Sequence, residues 1–269
     1  MKRIALLILD ALVFLAACAP EAAHTSVSTS EPHTLTVFAA ASLTDVFTEI
    51  GKAFEAAHPR VKVTFNFAGS QTLSTQLTHG AVADVFASAN HTEMDKLVAV
   101  NLVQQDAPKD FLTNKLLVIL PKNNPADVQT LQDLARPGLK LVLADATVPV
   151  GKYTRQILDN LSKDASFGSD FSTKVLSNVV SNETDVRQVV GKVQLGEADA
   201  GVVYISDSVA VPELKTIDIP DGYNVIAKYP IAALTGAPQP QLAADFVAYV
   251  LSSEGQAVLE KWGFTPVTP

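Results

Sequence analysis

Residues 35–90 read LTVFAAASLTDVFTEIGKAFEAAHPRVKVTFNFAGSQTLSTQLTHGAVADVFASAN. Two periodicities alternate along this stretch. LTVFAA, starting at Leu35, is a continuous apolar run of strand length, as suits a buried strand. Leu43, Val46, Phe47, Ile50 and Phe54 then recur at helical spacing. VKVTFNFA returns to β-branched and aromatic residues and predicts a second strand. SQTLSTQLTHG predicts a short helix stopped by Gly80. ADVFASA and HTEMDKLVAVNLV repeat the pair once more. Strands alternating with helices at this spacing predict an α/β fold on a parallel or mixed sheet.

Further along, the order partly restarts. KLLVILP predicts a strand, LQDLARPG a short helix stopped by Pro137 and Gly138, and LKLVLAD a strand. VGKYTRQILDNLSK reads as a helix, TKVLSNVVS as a strand and TDVRQVVGKVQLGE as a helix. ADAGVVYISD is another buried strand. LKTIDIP and YNVIAKYPIAAL read as extended, and QLAADFVAYVLSSEGQAVLEKWGF as helical. These are more strand–helix units than one compact half requires. We therefore expect two α/β lobes, residues 35–115 plus 229–269 and residues 116–228. The chain would cross twice between them and leave a ligand cleft in between.

Before Leu35 the chain has a different character. Lys2 and Arg3 precede the apolar stretch IALLILDALVFLAAC, which is short for a membrane span and has the layout of a secretory signal. Asp10 is a charged interruption in it. Small residues lead into Cys18, and Leu15-Ala16-Ala17-Cys18 resembles a bacterial lipobox. That resemblance implies a signal peptide over residues 1–17 and a lipid on Cys18, the one cysteine of the chain. A lipid would hold a soluble domain at an extracytoplasmic membrane surface without a spanning helix. Residues 18–34 favour Ala, Ser, Thr and Pro and read as a flexible tether. His24 and His33 in this tether are weak grounds for a metal site.

The 269 residues carry 20 Lys plus Arg against 28 Asp plus Glu, a formal net charge of -8. No sustained basic patch is present to neutralise phosphates, so nucleic acid is not an expected partner. A net-negative protein can still bind a small anion through local amides and hydroxyls. Small and hydroxyl residues recur where a strand gives way to a helix. Helix N-termini at such junctions present unpaired amides to the crevice beyond the strand ends. Ser42 follows FAAA, and Ser70 follows Phe67-Ala68-Gly69. Each either caps its own helix or offers a hydroxyl to a ligand, and the two roles are compatible. Gly69 permits a close backbone approach or a positive φ.

VFAAASLTD and FAGSQTLSTQLTHGAVADVFASAN, followed by VPVGKY, TDVRQVVGKVQLGEADAGVVYISD, YPIAAL and GQAVLEKWGF, resemble the molybdate-binding proteins of ABC importers. The resemblance runs from Leu35 to Phe264. It implies the two-lobed class II periplasmic binding protein fold, with mixed sheets and tetrahedral molybdate or tungstate held in the cleft. Ser42 and Ser70 would each give a hydroxyl and an amide, Val150 and Val186 a backbone amide, and Tyr204 its phenolic O–H. The metal would be bound only as the oxyanion, with no cofactor and no catalytic residue. The protein would act as a monomer and pass its ligand to a membrane permease with a separate ATPase subunit. Two positions depart from the family pattern. Gln71 stands where Ser is common, and Val150 where Ala is common. An amide contact tolerates Val150, whereas Gln71 removes a supporting hydroxyl or reshapes the pocket.

Other function classes leave weaker traces. A site for sulfate or phosphate would use similar donors, and protonated phosphate would gain from an acceptor such as Asp45 or Asp185. A serine-dependent hydrolase would need His58, His79 or His91 beside Ser42 or Ser70, and no GxSxG elbow surrounds either serine. VPVGKY lacks the glycine loop and the hydroxyl residue of a nucleotide phosphate-binding loop. A surface adhesion or scaffold role would leave the cleft closed or filled.

Overall fold

A computed structural model describes residues 33–267. The proposed signal peptide and Cys18 lie outside the described residues. Strand β1 (His33–Ala40), helix α1 (Thr44–Ala57), β2 (Val61–Ala68), α2 (Ser70–Thr78), β3 (Val85–Ala87) and α3 (His91–Ala99) repeat one unit, and β4 (Lys109–Asn114) follows. Next come β5 (Leu116–Leu120), a 3-10 turn at Leu131–Ala135, β6 (Leu141–Ala144), α4 (Pro149–Leu161) and α5 (Phe171–Ser177). β7 (Val179–Glu183), α6 (Val186–Gln194), β8 (Ala200–Tyr204), α7 (Ile205–Val209) and β9 (Lys215–Asp218) complete the middle of the chain. β10 (Ala227–Ala233), α8 (Pro240–Leu251), α9 (Ser253–Lys261) and β11 (Thr265–Pro266) close it. No helix among the described residues is long and apolar enough to cross a membrane.

Two mixed sheets result. The first has the order β11-β4-β10-β3-β1-β2 and the second β7-β6-β8-β5-β9. In the first, β1 runs parallel to β2 and β3, while β10 is antiparallel to β3 and β4. In the second, β6 is parallel to β7 and β8, and β5 is antiparallel to β8 and β9. Each sheet with its flanking helices forms one lobe of the two-lobed fold. The chain crosses at Lys115, between β4 and β5, and returns between β9 and β10.

Several elements differ from the sequence expectations. β4 was not expected, because KDFLTN is half polar and its partners β10 and β11 lie far along the chain. The stretch TKVLS is helical in α5, and its strand starts only at Val179. Phe171 and Val175 are buried one helical turn apart, and Lys174 pairs with Asp170 at 2.8 Å. ISD, read as the end of a strand, instead begins α7, where the Asp207 carboxylate accepts from the Tyr204 N–H at 3.1 Å. β1 starts at His33, inside the expected tether, because the His33 N–H finds the Arg60 carbonyl at 2.8 Å. β10 begins at Ala227, opposite Asn114, ahead of the expected boundary at 229.

The C-terminal return is fixed by aromatic packing. Phe246 of α8 meets Phe47 and Phe54 of α1 edge-on, with centroids 5.9 and 5.3 Å apart. All three rings are fully buried. The last helices therefore complete the core of the first lobe. Truncating a buried Phe costs the transfer energy plus that of the cavity left behind. Phe246→Ala is expected to lose about 3–5 kcal/mol in urea unfolding. A loss below about 1 kcal/mol would show that α8 contributes little to this core.

Candidate functional site

Parallel strands share a direction, so their C-terminal ends arrive at a common edge. β1 and β2 of the first sheet and β6, β7 and β8 of the second all end at the cleft, and each gives way to a helical turn. The five residues expected at the site lie at or just beyond those ends. Ser42 lies in the 3-10 turn Ala41–Leu43 after β1, Ser70 opens α2, Val150 is second in α4, Val186 opens α6, and Tyr204 ends β8. All five are buried and all line one small pocket. Gly69, Ala89, Pro149 and Asp185 complete much of its wall.

The donors at this pocket have specific causes. The first amides of a helix have no intrahelical acceptor. No side chain caps the helical turns that begin after Ala40, Gly69 and Val148. Pro149, the first residue of α4, has no N–H, so Val150 carries that helix's first amide. Asp185 caps α6 by accepting from the Gln188 N–H at 3.1 Å, not from that of Val186.

The hydroxyls are arranged likewise. Ser70 Oγ accepts from the Ala89 N–H at 2.9 Å, which leaves its own proton to donate. Ser42 Oγ shares a 3.0 Å hydrogen bond with Tyr229 Oη. With Tyr229 donating, Ser42 keeps its proton for the pocket. Tyr204 Oη is buried and has no partner. Burial pushes the phenols of Tyr204 and Tyr229 well above 10, so both stay protonated. Burial raises Tyr153 to about 12, and its O–H points at the Ala89 carbonyl, 3.4 Å away.

Close approach between the lobes depends on small residues. A Cβ on Gly69 would lie 2.5 Å from the Thr184 carbonyl of the second lobe. A Cβ on Gly151 would lie 2.0 Å from the Asp145 carbonyl, so α4 could not start so near β6. The φ of Gly69 is -57°, so its use here is closeness, not a left-handed turn. Gln71 reaches across the cleft and donates from Nε2 to the Thr184 carbonyl at 2.8 Å. In place of a hydroxyl it supplies a contact between lobes. The Val150 side chain packs into the core.

Sequence reasoning missed Tyr229, Arg187 and Asp207. Tyr229 sits on β10, far from Ser42 in sequence. Arg187 pairs with Asp45 across the cleft, and its Nε lies 3.6 Å from Asp207 Oδ1. The position of Arg187 next to Val186 in TDVRQ was the one available signal. Among the described residues no histidine lines the pocket. His58 stacks on Phe54 with its Nδ1 at the Phe54 carbonyl, His79 turns back to the Thr75 carbonyl, and His91 pairs with Asp110. Among the described residues no group of three or more His, Cys, Asp or Glu gathers to hold a metal ion.

Comparison with known proteins places the chain in a family. Residues 35–265 match the family described as bacterial extracellular solute-binding protein. The chain belongs to that family. Within it, the molybdate-binding protein ModA of Mycobacterium tuberculosis is 41% identical over 237 residues, covering 88% of this chain and 86% of that protein. The putative ABC transporter substrate-binding lipoprotein YvgL of Bacillus subtilis is 30% identical over 259 residues, covering 96% and 95%. In fold, the chain is similar to the periplasmic molybdate-binding protein of Azotobacter vinelandii. The TM-score is 0.74 at 18% identity, over 87% of this chain and 99% of that one.

Asp207 gives the pocket a pH signature. Burial pushes its carboxyl up to about 7; Arg187 pulls it down, and Asp45 and Asp185 push it up. An unfolded Asp titrates near 3.9, so the folded chain holds this proton more tightly. The resulting stability is complete below about pH 3.9 and is lost as pH rises through about 7. Asp207→Asn removes that loss. Melting temperatures taken from about pH 5 to about pH 8 should fall in the wild type relative to Asp207→Asn. Parallel curves would contradict this assignment.

Proposed function

We propose that this chain is the extracytoplasmic substrate-binding component of an ABC importer and that it binds molybdate and tungstate. The observation that carries the reading is a single pocket, walled by both lobes, where hydroxyl and amide donors meet without a lining cation. Ser42, Ser70 and Tyr204 give O–H donors, and Val150 and Val186 give N–H donors. A deprotonated tetrahedral oxyanion only accepts hydrogen bonds, so such a set matches it. The positive ends of the helix dipoles add to the attraction. The identity with ModA supports molybdate as the ligand.

Protonated phosphate would present a hydrogen that needs an acceptor. The two carboxylates that the sequence offered for this are engaged elsewhere, Asp45 with Arg187 and Asp185 with Gln188. Sulfate has the charge and shape of molybdate but is smaller, so its rejection rests on cavity size. Hydrolysis by Ser42 or Ser70 lacks a base, since their partners are a tyrosine and a backbone amide. In this reading the protein acts by binding.

In this reading residues 1–17 are a signal peptide, Cys18 carries the lipid, and the tether ends where β1 begins. The first lobe takes the chain from β1 to Lys115 and the return that starts with β10 at Ala227, and the second lobe takes the chain between. A monomer closes on its ligand and presents both lobes to a membrane permease, whose separate ATPase subunit supplies the energy. The name of YvgL as a lipoprotein supports the anchor.

Calorimetric titration with molybdate, tungstate, sulfate and phosphate tests the reading. Molybdate and tungstate should saturate the protein, and sulfate and phosphate should bind far more weakly. Saturation by sulfate or phosphate alone would overturn the specificity. The double substitution Ser42→Ala, Ser70→Ala removes two hydrogen bonds to a charged group, each worth about 1.5–3 kcal/mol. Molybdate affinity should fall by more than about a hundredfold while the fold persists. An unchanged affinity in the folded variant would sink the two serine assignments.

A further inference from the structure

The pocket is walled by neutral donors, yet one guanidinium lies directly behind it. Arg187 follows Val186 in the first turn of α6, in the second lobe. Its Nη2 pairs with Asp45 Oδ2, in the first turn of α1, and its Nε donates to the Ala41 carbonyl at 3.3 Å. Both partners belong to the first lobe. Behind it, fully buried Asp207 places Oδ1 3.6 Å from the same Nε, while Asp207 Oδ2 accepts from the Tyr204 N–H at 3.1 Å. One side chain thus touches the turn that carries Ser42, follows the amide of Val186, and abuts the carboxylate that fixes Tyr204.

We infer that Arg187 is a positioning residue for ligand retention: paired with Asp45 it latches the second lobe onto the first, and so sets how long the oxyanion stays bound. This inference rests on the oxyanion reading above. An exposed ion pair would be worth little, because solvent screens it and its side chains are free to wander. Here the side chains of Arg187 and Asp45 are only 27% and 35% exposed, and the planar fork is held by three groups. Among the described residues it is the one ion pair that joins a helix of one lobe to a helix of the other. The other side-chain contacts between lobes are neutral or single, such as Gln71 on the Thr184 carbonyl and Lys152 on Thr92 Oγ1. Arg187 also offsets the charge of Asp45, which would otherwise repel a dianion in the pocket.

A latch formed only when the lobes meet acts on release more than on capture. The one tryptophan of the chain, Trp262, lines a surface groove with Asp45, one partner of the latch, and its fluorescence is the signal to be read. Stopped-flow rates with molybdate would be measured for the wild type, Arg187→Gln, Arg187→Lys, Asp45→Asn and the Arg187→Gln, Asp45→Asn pair, at low and high salt. Arg187→Gln and Asp45→Asn should each speed release by roughly tenfold, with association changed far less and the ligand-free fold intact. The pair should be no worse than either alone. Lys should restore part of the retention, since a point charge cannot span Asp45 and the Ala41 carbonyl together. Salt should speed release in the wild type but not in Arg187→Gln.

Release within about twofold of the wild type in Arg187→Gln would overturn the latch. So would a variant that melts early without ligand, which would mark a folding role. A wild type that takes up no oxyanion defeats the binding reading instead. Small-angle scattering without ligand then tests the latch by itself: Arg187→Gln should be more extended than the wild type, and identical profiles would refute it.

Discussion

A buried N–H or O–H without an acceptor costs about 1–3 kcal/mol, and this fold gathers several such donors at one point. The gathering follows from strand direction. β1 and β2 in one sheet, and β6, β7 and β8 in the other, end at the same cleft and turn there into helices. Each helical turn brings amides that its own backbone cannot satisfy. Uncapped starts after Ala40, Gly69 and Val148, a proline ahead of Val150, and the unpartnered Tyr204 hydroxyl add to that demand. An anion made of acceptors answers it, which is why a chain of net charge -8 can hold one without a lysine or arginine in the wall.

The same arrangement places the acidic groups. Asp185 spends its carboxylate on the cap of α6, and Asp45 meets Arg187. Asp207 is buried beneath Tyr204, where loss of water favours its protonated form. Negative charge is thus kept close to the pocket but occupied. Gly69 and Gly151 serve this packing through their missing side chains, since a Cβ at either would collide with a neighbouring carbonyl.

Local chemistry made part of this legible in the sequence. The apolar runs at Leu35 and Val61 and the helical spacing from Leu43 to Phe54 predicted the alternating elements of the first lobe. Ser42 and Ser70 stood out because a hydroxyl after an apolar strand marks a junction. Val150 and Val186 carry no side-chain signal, and only the family resemblance pointed to their amides. Tyr229, Arg187 and β4 were invisible because their partners are remote in sequence: Ser42 for Tyr229, Asp45 for Arg187, β10 and β11 for β4. Val175 and Leu176 suit a strand and so hide α5 in the sequence, while Phe171, one turn earlier, supplies the helical face.

Donors from both lobes close around a single oxyanion. Anomalous diffraction from crystals grown with tungstate reads this out, because tungsten scatters far more strongly than any protein atom. One strong peak is expected in the pocket, within hydrogen-bonding reach, through its oxygens, of the hydroxyls of Ser42, Ser70 and Tyr204 and the amides of Val150 and Val186. A pocket without a peak, or a peak held only by surface lysines, would rule it out.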